Sequence, residues 1–411
     1  MRKNIILVAV LAIQCSILGA NTLEKAYFDG DNPPTQSNYE GRDLRQVVFD
    51  TVDMGGFNFA SANLLSVEIL SSDNGEYFKD LNFAGASWSG GKFSSSAPYV
   101  LSSVTNANFS DSLVNFVTFQ NLAFGGTSTF KNANLESSIF DSVNFANSSF
   151  EGAVIRNALF SNSDFDKSKL VQTASYKDGD LSGVYFISAS SLIDFSGTNF
   201  SSMDLTYSLF TGANLAGANF TLSKLGGSIL ANSDFTSADF RGASEMPLLE
   251  VSVVKNTIMS DGAIGNVTMC EASDKIIVNG SAGGINAKLE SDANFTDGVL
   301  ELKDGGIFEI CDGVSLSLSD DFEIIFEAGS ADEIFDILAV GDGATIVMSD
   351  CLSDEEAQQA FINAIRDSEG NLVNWAPDSV ASFVFAVPEP STCAAVLALI
   401  SLSIVLIRRR K

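Results

Sequence analysis

A bulky apolar residue recurs at every fifth position through much of the first 245 residues of this 411-residue chain. The step holds without a slip from Phe195 to Phe240, and an earlier run extends from Phe130 to Leu170. Five α-helical steps of about 100° scatter these side chains around a helix, and five strand steps move each to the opposite face. Neither element can bury them, so the step of five requires a turn in every unit.

The two positions before each bulky residue show how the unit folds. A small residue stands two positions earlier and Asn or Asp often stands between, as in Ala218-Asn219-Phe220. Two inward side chains around one outward side chain make a very short extended piece, and the remaining two residues turn the chain. We expect coils that stack about 4.8 Å apart around an apolar interior. The predicted core ladder comprises Phe130, Leu135, Phe140, Phe145, Phe150, Phe160, Phe165, Phe195, Phe200, Phe210, Leu215, Phe220, Phe235 and Phe240.

Units such as Ala133-Asn134-Leu135 and Ala213-Asn214-Leu215 resemble the A(D/N)LXX pattern of the pentapeptide repeat family, although Phe often replaces Leu here. The resemblance implies an all-β fold, a right-handed quadrilateral β-helix with four pentads per coil. We predict this β-helix over residues 45–245, after an N-terminal polar segment at 21–44.

Residues 246–386 have a different sequence pattern. Short apolar runs recur every 8 to 12 residues or so between Asp-Gly and Gly-Gly pairs, as in Val314-Ser315-Leu316-Ser317-Leu318, which predicts strands and tight turns. We expect a β-rich module, either a continued and wider β-solenoid or a small sandwich. One short helix is predicted near 354–366, because Ser353 and Glu356 can form its capping box.

Both ends carry targeting signals. Arg2 and Lys3, an apolar run and then Gly19-Ala20 are typical of a signal peptide at 1–20, which favours export over a membrane anchor. The C-terminal segment 387–411 combines a short motif, an apolar helix at 393–407 and a basic tail, an order that resembles the PEP-CTERM sorting signal. The resemblance implies recognition by an exosortase; an ordinary tail anchor is the alternative. The motif and tail residues are Val387, Pro388, Glu389, Pro390, Ser391, Thr392, Arg408, Arg409 and Arg410.

The composition excludes several function classes. With 51 acidic and 23 basic residues and no histidine, the chain has a net charge of −28 and no imidazole base or ligand. Nucleic-acid binding is therefore not expected, since no basic surface is available. Cys270, Cys311 and Cys351 allow at most one disulfide of undetermined pairing. We predict no catalytic residue, no metal site and no cofactor.

These observations favour an exported structural or interaction protein over an enzyme. We expect it to be anchored transiently in the inner membrane by its C-terminal helix and then to reside in the cell envelope, at the surface or in the extracellular matrix. Its expected partners are an exosortase and either exopolysaccharide or another envelope protein. The alternative is a carboxylate-based carbohydrate-active β-helix enzyme or a polysaccharide-binding protein. The family resemblance also allows a DNA mimic that binds type II topoisomerases.

Overall fold

The computed structural model describes most of the chain between residues 22 and 386. The predicted signal peptide, the predicted helix near 354–366 and the whole C-terminal sorting segment lie outside the described residues. Within the described part, no helix is long and apolar enough to cross a membrane. The gaps are 73–77, 97–100, 146–147, 189–192, 250, 281, 304–305, 312, 319–321, 328–337, 341–344, 349–373 and 377–381.

The first module is a stack of four-sided coils joined by parallel pairing. One side is an eleven-stranded sheet, and an adjoining side is a five-stranded sheet. Isolated bridges such as Asn199↔Asn219 and Asp234↔Val253 connect coils on the other sides. The smaller sheet contains β1 (Thr22–Glu24), β3 (Asp43–Arg45), β5 (Asn63–Leu65), β8 (Ser87–Ser89) and β11 (Leu113–Asn115). The larger sheet contains β2 (Tyr27–Phe28), β4 (Val48–Asp50), β6 (Val67–Ser71), β7 (Phe78–Lys79), β9 (Gly91–Ser95), β10 (Ser102–Thr105), β12 (Thr118–Gly125), β13 (Ile139–Asn144), β14 (Leu159–Ser161), β15 (Tyr185–Ile187) and β17 (Leu209–Thr211). A further parallel pair is formed by β16 (Ile193–Asp194) and β18 (Ala213–Asn214).

The every-fifth residues fill the interior of this stack. All fourteen side chains of the predicted core ladder are fully buried. The rings of Phe119, Phe140 and Phe160 lie in line, with centroids 4.9 and 5.0 Å apart and planes nearly parallel. The centroid spacing matches the distance between paired strands, because each ring belongs to the same position in successive coils.

The turn of each unit uses the left-handed backbone region two residues after the buried position. Ser61, Asn132 and Ser237 adopt it with φ between 55° and 61°. The Asn or Asp before the buried residue supports the same turn, since its Oδ1 accepts the backbone N–H two residues later, as from Ala84 to Asn82 at 3.1 Å. Polar residues and glycine therefore fill most of the corners for a conformational reason.

The stack begins and ends beyond the predicted limits of 45–245. Strand β1 pairs in register with β3, so the stack already includes Thr22, inside the segment we predicted to be separate and polar. Leu44 in β3 is fully buried, and so is Tyr39. At the other end, Asp239 still bridges Ile258. Backbone hydrogen bonds between coils do not require the pentad pattern, and so the coils extend beyond the residues that show it.

Insertions lengthen some coils without breaking the stack. Ile139 and Leu159 are register partners twenty residues apart, whereas Leu159 and Tyr185 are separated by twenty-six residues. The extra residues of the longer coil form two short helices, α1 (Lys167–Leu170) and α2 (Ala174–Lys177). Asp166 and Thr173 cap these helices with their side-chain oxygens.

The second module is a three-sided parallel β-solenoid, which confirms the first of the two architectures proposed from the sequence. Its strands form three sheets. One sheet contains β21 (Lys275–Asn279), β24 (Gly298–Lys303), β27 (Phe322–Glu327) and β31 (Ser382–Ala386). The second contains β22 (Ala287–Leu289), β25 (Phe308–Ile310) and β28 (Leu338–Val340). The third contains β23 (Ala293–Phe295), β26 (Ser315–Leu318), β29 (Thr345–Met348) and β30 (Asn374–Ala376). The three sheets take the strands from β21 to β29 in rotation, so each strand from β21 to β26 pairs with the one three places later, and β31 and β30 then pair with β27 and β29.

The two modules are continuous along the stack. An antiparallel pair, β19 (Thr257–Ile258) and β20 (Ile264–Gly265), lies at the junction. The backbone N–H of Lys288 donates to Gly262 O at 2.7 Å and so attaches the second module. Lys255 forms an ion pair with the buried Asp274.

Candidate functional site

One side of the first module presents an unbroken column of apolar side chains outward, whereas the other sides present mostly polar ones. In four successive strands of the eleven-stranded sheet and in the coil that follows them, the outward position before the buried ladder residue holds an apolar residue. The parallel register and one bridge align them directly above one another. We call this row the apolar face: Ile139, Leu159, Tyr185, Leu209 and Ile229.

The apolar face is open to solvent. Ile229 is 54% exposed, Tyr185 41% and Ile139 38%, while Leu159 and Leu209 are half-buried. Five coils at about 4.8 Å spacing make a strip about 19 Å long. Because parallel strands hold these side chains at fixed spacing, the strip is flat and regular.

The second outward position of the same strands adds almost no charge. After the buried residue, the upper coils carry Ser161, Ile187, Thr211 and Ala231, and Asp141 at the lower end is the one carboxylate in this row. Asp141 accepts a hydrogen bond from Gln120 Nε2 at 2.9 Å. The strip is therefore uncharged over four coils of a protein whose net charge is −28.

The adjoining side has the opposite character. Arg156 lies 3.3 Å from Asp180 and 3.8 Å from Glu136, and Lys224 lies 3.6 Å from Asp204. Burial alone would raise the pKa of Asp180, but hydrogen bonds from Ser182 and the Arg156 guanidinium lower it overall. Ionic side chains thus face water beside the apolar face and not on it.

Tyr207 extends the apolar face around its corner. It has φ of 58°, a region that bulky residues rarely adopt, and its side chain is 70% exposed. Its ring lies over Gly227 in the next coil, where an added Cβ would approach Cδ1 to 2.7 Å. Three other coils have Ser137, Asn157 and Gly183 at this corner. A further coil has an aromatic residue there, Phe116, which is 63% exposed.

The described residues form no cluster of the metal-binding kind. No group of three or more Cys, Asp or Glu side chains there is arranged to hold a metal ion. Trp88 cannot serve as a sugar platform, because it is fully buried and donates its Nε1–H to Val67 O at 3.2 Å. No disulfide joins Cys270 to Cys311, and Cys351 lies outside the described residues.

The comparison with protein families identifies the repeats. The family model described as pentapeptide repeats matches eight copies, over residues 128–173, 193–230 and 213–244. These residues fold as parallel coils with the ladder inside, so this part of the chain has the pentapeptide-repeat β-helix fold. The repeat class expected from the A(D/N)LXX units is thereby confirmed for the segments that match.

Solved structures are also similar to the chain, HetL and QnrB1 among them, and no curated protein matches it. HetL is a pentapeptide repeat protein involved in heterocyst differentiation regulation from the cyanobacterium Nostoc sp. strain PCC 7120. It is 16% identical to this chain, and the match covers 62% of this chain and 97% of HetL with a TM-score of 0.18. Full-length QnrB1, a plasmid-mediated fluoroquinolone resistance protein, is also 16% identical; the match covers 56% of this chain and 90% of QnrB1 with a TM-score of 0.24.

Proposed function

We propose that this protein is an exported, non-enzymatic scaffold that binds an envelope or matrix protein through its apolar face. The observation that carries the proposal is the alignment of five apolar side chains in successive coils. Contiguous exposed apolar surface is uncommon on soluble proteins and marks interaction sites. The Asn, Asp and Ser residues at outward positions on the other sides show that the repeat itself does not require apolar residues there.

The build of the module supports a binding role for this surface. Fully buried rings lie directly beneath the apolar face, including Phe140, Phe160, Phe186 and Phe210. Side chains on a sheet held by such a core lose little freedom on binding, and this lowers the entropic cost of association. A partner with a flat apolar patch could therefore bind without reorganising the scaffold.

Export is proposed on the two terminal segments. The basic residues, apolar run and small residues at 1–20 support cleavage after Ala20, and the order of the segment 387–411 supports sorting by an exosortase. The acidic surface would keep copies of the scaffold apart outside the cell by charge repulsion.

The binding role is tested by charging the apolar face in cells. Leu209→Arg places a cation in the strip between Tyr185 and Ile229, and Asn134→Arg places the same cation at the same pentad position on the adjoining side. Both parent residues are half-buried, so the variants are matched in exposure. We expect Leu209→Arg to release the protein from the envelope fraction into the medium and Asn134→Arg to leave it in place. Equal retention of the two variants would contradict the proposal.

Export is tested separately by mass spectrometry of the protein recovered from the host. The expected mature chain starts at Asn21 and lacks the apolar segment 393–407. Recovery of a chain that retains residues 1–20 and the apolar segment 393–407 would contradict export and sorting. It would not test the role of the apolar face.

A further inference from the structure

A groove lies where the first module meets the second, away from the apolar face. Its walls are formed by the turns that contain Ser196 and Gly217 and by Ile277 and Asn279 of strand β21. Its volume of about 470 Å³ falls within the range of small-molecule sites.

Two stacked glycines leave this space open. Gly197 and Gly217 occupy the same corner of successive coils with φ of 57° and 67°, and the Gly197 N–H donates to Ala216 O at 2.8 Å. A Cβ on Gly217 would lie 3.4 Å from Ile277 Cδ1. Any larger side chain at this corner would therefore begin to fill the groove.

Two amide groups on the first module are fixed in orientation. Asn199 Oδ1 accepts the N–H of Ser201 at 3.1 Å, and Asn219 Oδ1 accepts the N–H of Thr221 at 3.0 Å. These bonds determine which end of each amide is the free donor. Neither Nδ2 donates to another atom in the part of the chain that the structure describes, and the two asparagines are register partners.

A third donor comes from the second module. The backbone of Asn279 is held on both sides, since its N–H donates to Asp239 Oδ2 at 3.0 Å and its carbonyl accepts from Arg241 Nη2 at 2.6 Å. Its side-chain Nδ2 is nevertheless buried with no hydrogen-bond partner. Buried donors are almost always paired, so this amide would gain a partner by turning towards an acceptor in the groove that Asn279 lines.

The lining selects for an uncharged ligand. No ionisable side chain lines the groove, although acidic residues outnumber basic ones by more than two to one in the chain. Lys167 approaches the rim, where its Nζ donates to Ser196 O at 2.8 Å. Two free amide donors on the first module, the Asn279 amide that can turn towards them and one aliphatic side chain match a ring that carries hydroxyl groups around its edge and C–H bonds on its face. We propose that this groove binds one unit of a neutral saccharide.

A matched pair of variants tests the site. Ala216→Phe places a ring in the groove, whereas Ala84→Phe places the same ring at the equivalent pentad position of a distant coil. Ala216 and Ala84 have the same local hydrogen bonds, each N–H donating to the Asn Oδ1 two residues earlier. Destabilisation by an added ring on the coil surface should therefore be similar in the two variants.

The measurement is binding of the full-length chain to immobilised cellohexaose, laminarihexaose and maltohexaose. We expect the unmodified protein and Ala84→Phe to bind at least one of these probes, Ala216→Phe to lose at least tenfold in affinity, and Asn279→Ala to lose severalfold. No binding to any of the three, or equal binding by Ala216→Phe and Ala84→Phe, would overturn the proposal and leave the Asn279 amide as the partner of a structural water. Leu209→Arg should bind the probes normally, so this result is independent of the apolar face.

Discussion

Arg241 and Asp239 form a fully buried ion pair at the junction of the two modules, with Nη2 2.9 Å from Oδ2 and side-chain exposures of 1% and 0%. The guanidinium also donates to the carbonyl oxygens of Asn279, Gly280 and Ile285, at 2.6 to 3.2 Å. One side chain thus satisfies three carbonyls of the second module while it neutralises a carboxylate of the first. The arrangement fixes how the solenoid sits on the four-sided stack.

Arg241→Met should destabilise the protein strongly, because it leaves the Asp239 carboxylate buried without its countercharge. The expected cost is about 3–5 kcal/mol, measured by urea unfolding followed by circular dichroism. Arg45→Met is the control: Arg45 pairs with Asp43 at the same two-residue spacing, at 2.6 Å, but on the exposed surface. A similar loss in both variants would show that burial does not set the strength of the Arg241 pair.

Phe140→Ala should open a cavity in the ladder between Phe119 and Phe160. The expected cost is about 3–5 kcal/mol of unfolding free energy. Phe116→Ala removes the same ring from an exposed corner and should change stability by no more than about 0.5 kcal/mol. Equal urea midpoints for the two variants would mean that the ring at position 140 is not in the core.

Asn82 belongs to a column of amides on one side of the stack. Its Nδ2 donates to Asn58 Oδ1 at 3.0 Å, and its Oδ1 accepts from Asn108 Nδ2 at 3.3 Å and from the N–H of Ala84. Asn82→Asp keeps both acceptor roles but sets a carboxylate oxygen against Asn58 Oδ1 in place of the donated bond, at a cost of at least about 0.5–1.5 kcal/mol. Asn82→Ala loses all three bonds and should unfold at lower urea than Asn82→Asp. The reverse order would show that the column does not stabilise the coils.

The hydroxyl of Tyr27 should lose its proton at a higher pH than an ordinary tyrosine. The hydrogen bond from Tyr27 Oη to Asp50 Oδ2, 2.5 Å long, together with burial raises the pKa of Tyr27 to about 12 from an ordinary value near 10. The stability linked to this raised pKa is fully present below pH 10 and is lost as the pH rises through about 12. In Asp50→Asn, the ultraviolet titration of tyrosinate should show one group moving back towards pH 10. Superimposable titration curves would rule out the hydrogen bond as the cause; Tyr39, whose pKa burial raises to about 12, serves as the internal reference.

The core and the turns could be predicted from the sequence because each depends on one unit of five residues. Phe220 is buried for the same local reason as Phe200, and the Asn before each ring supports the turn that follows. The start of the stack could not be predicted in this way. Thr22–Glu24 joins it through backbone pairing, for which no pentad pattern is needed.

The apolar face escaped sequence reasoning because it depends on which pentads stack. Leu209 and Ile229 are twenty residues apart, as four regular pentads require. Insertions between Leu159 and Tyr185 and between Tyr185 and Leu209 break that spacing, so the column cannot be read at a fixed interval. The Arg241 pair was hidden for a related reason, since its carbonyl partners belong to the other module.

The most direct test of the binding surface is photocrosslinking in the host with a photoreactive amino acid at position 209 or, as the control, at position 134. Both positions precede a buried ladder residue and are half-buried, on different sides of the stack. We predict that position 209 gives one discrete adduct with an envelope or matrix protein and that the adduct disappears when Ile229→Arg is added. Adducts of equal yield from both positions, or none from position 209, would contradict the account.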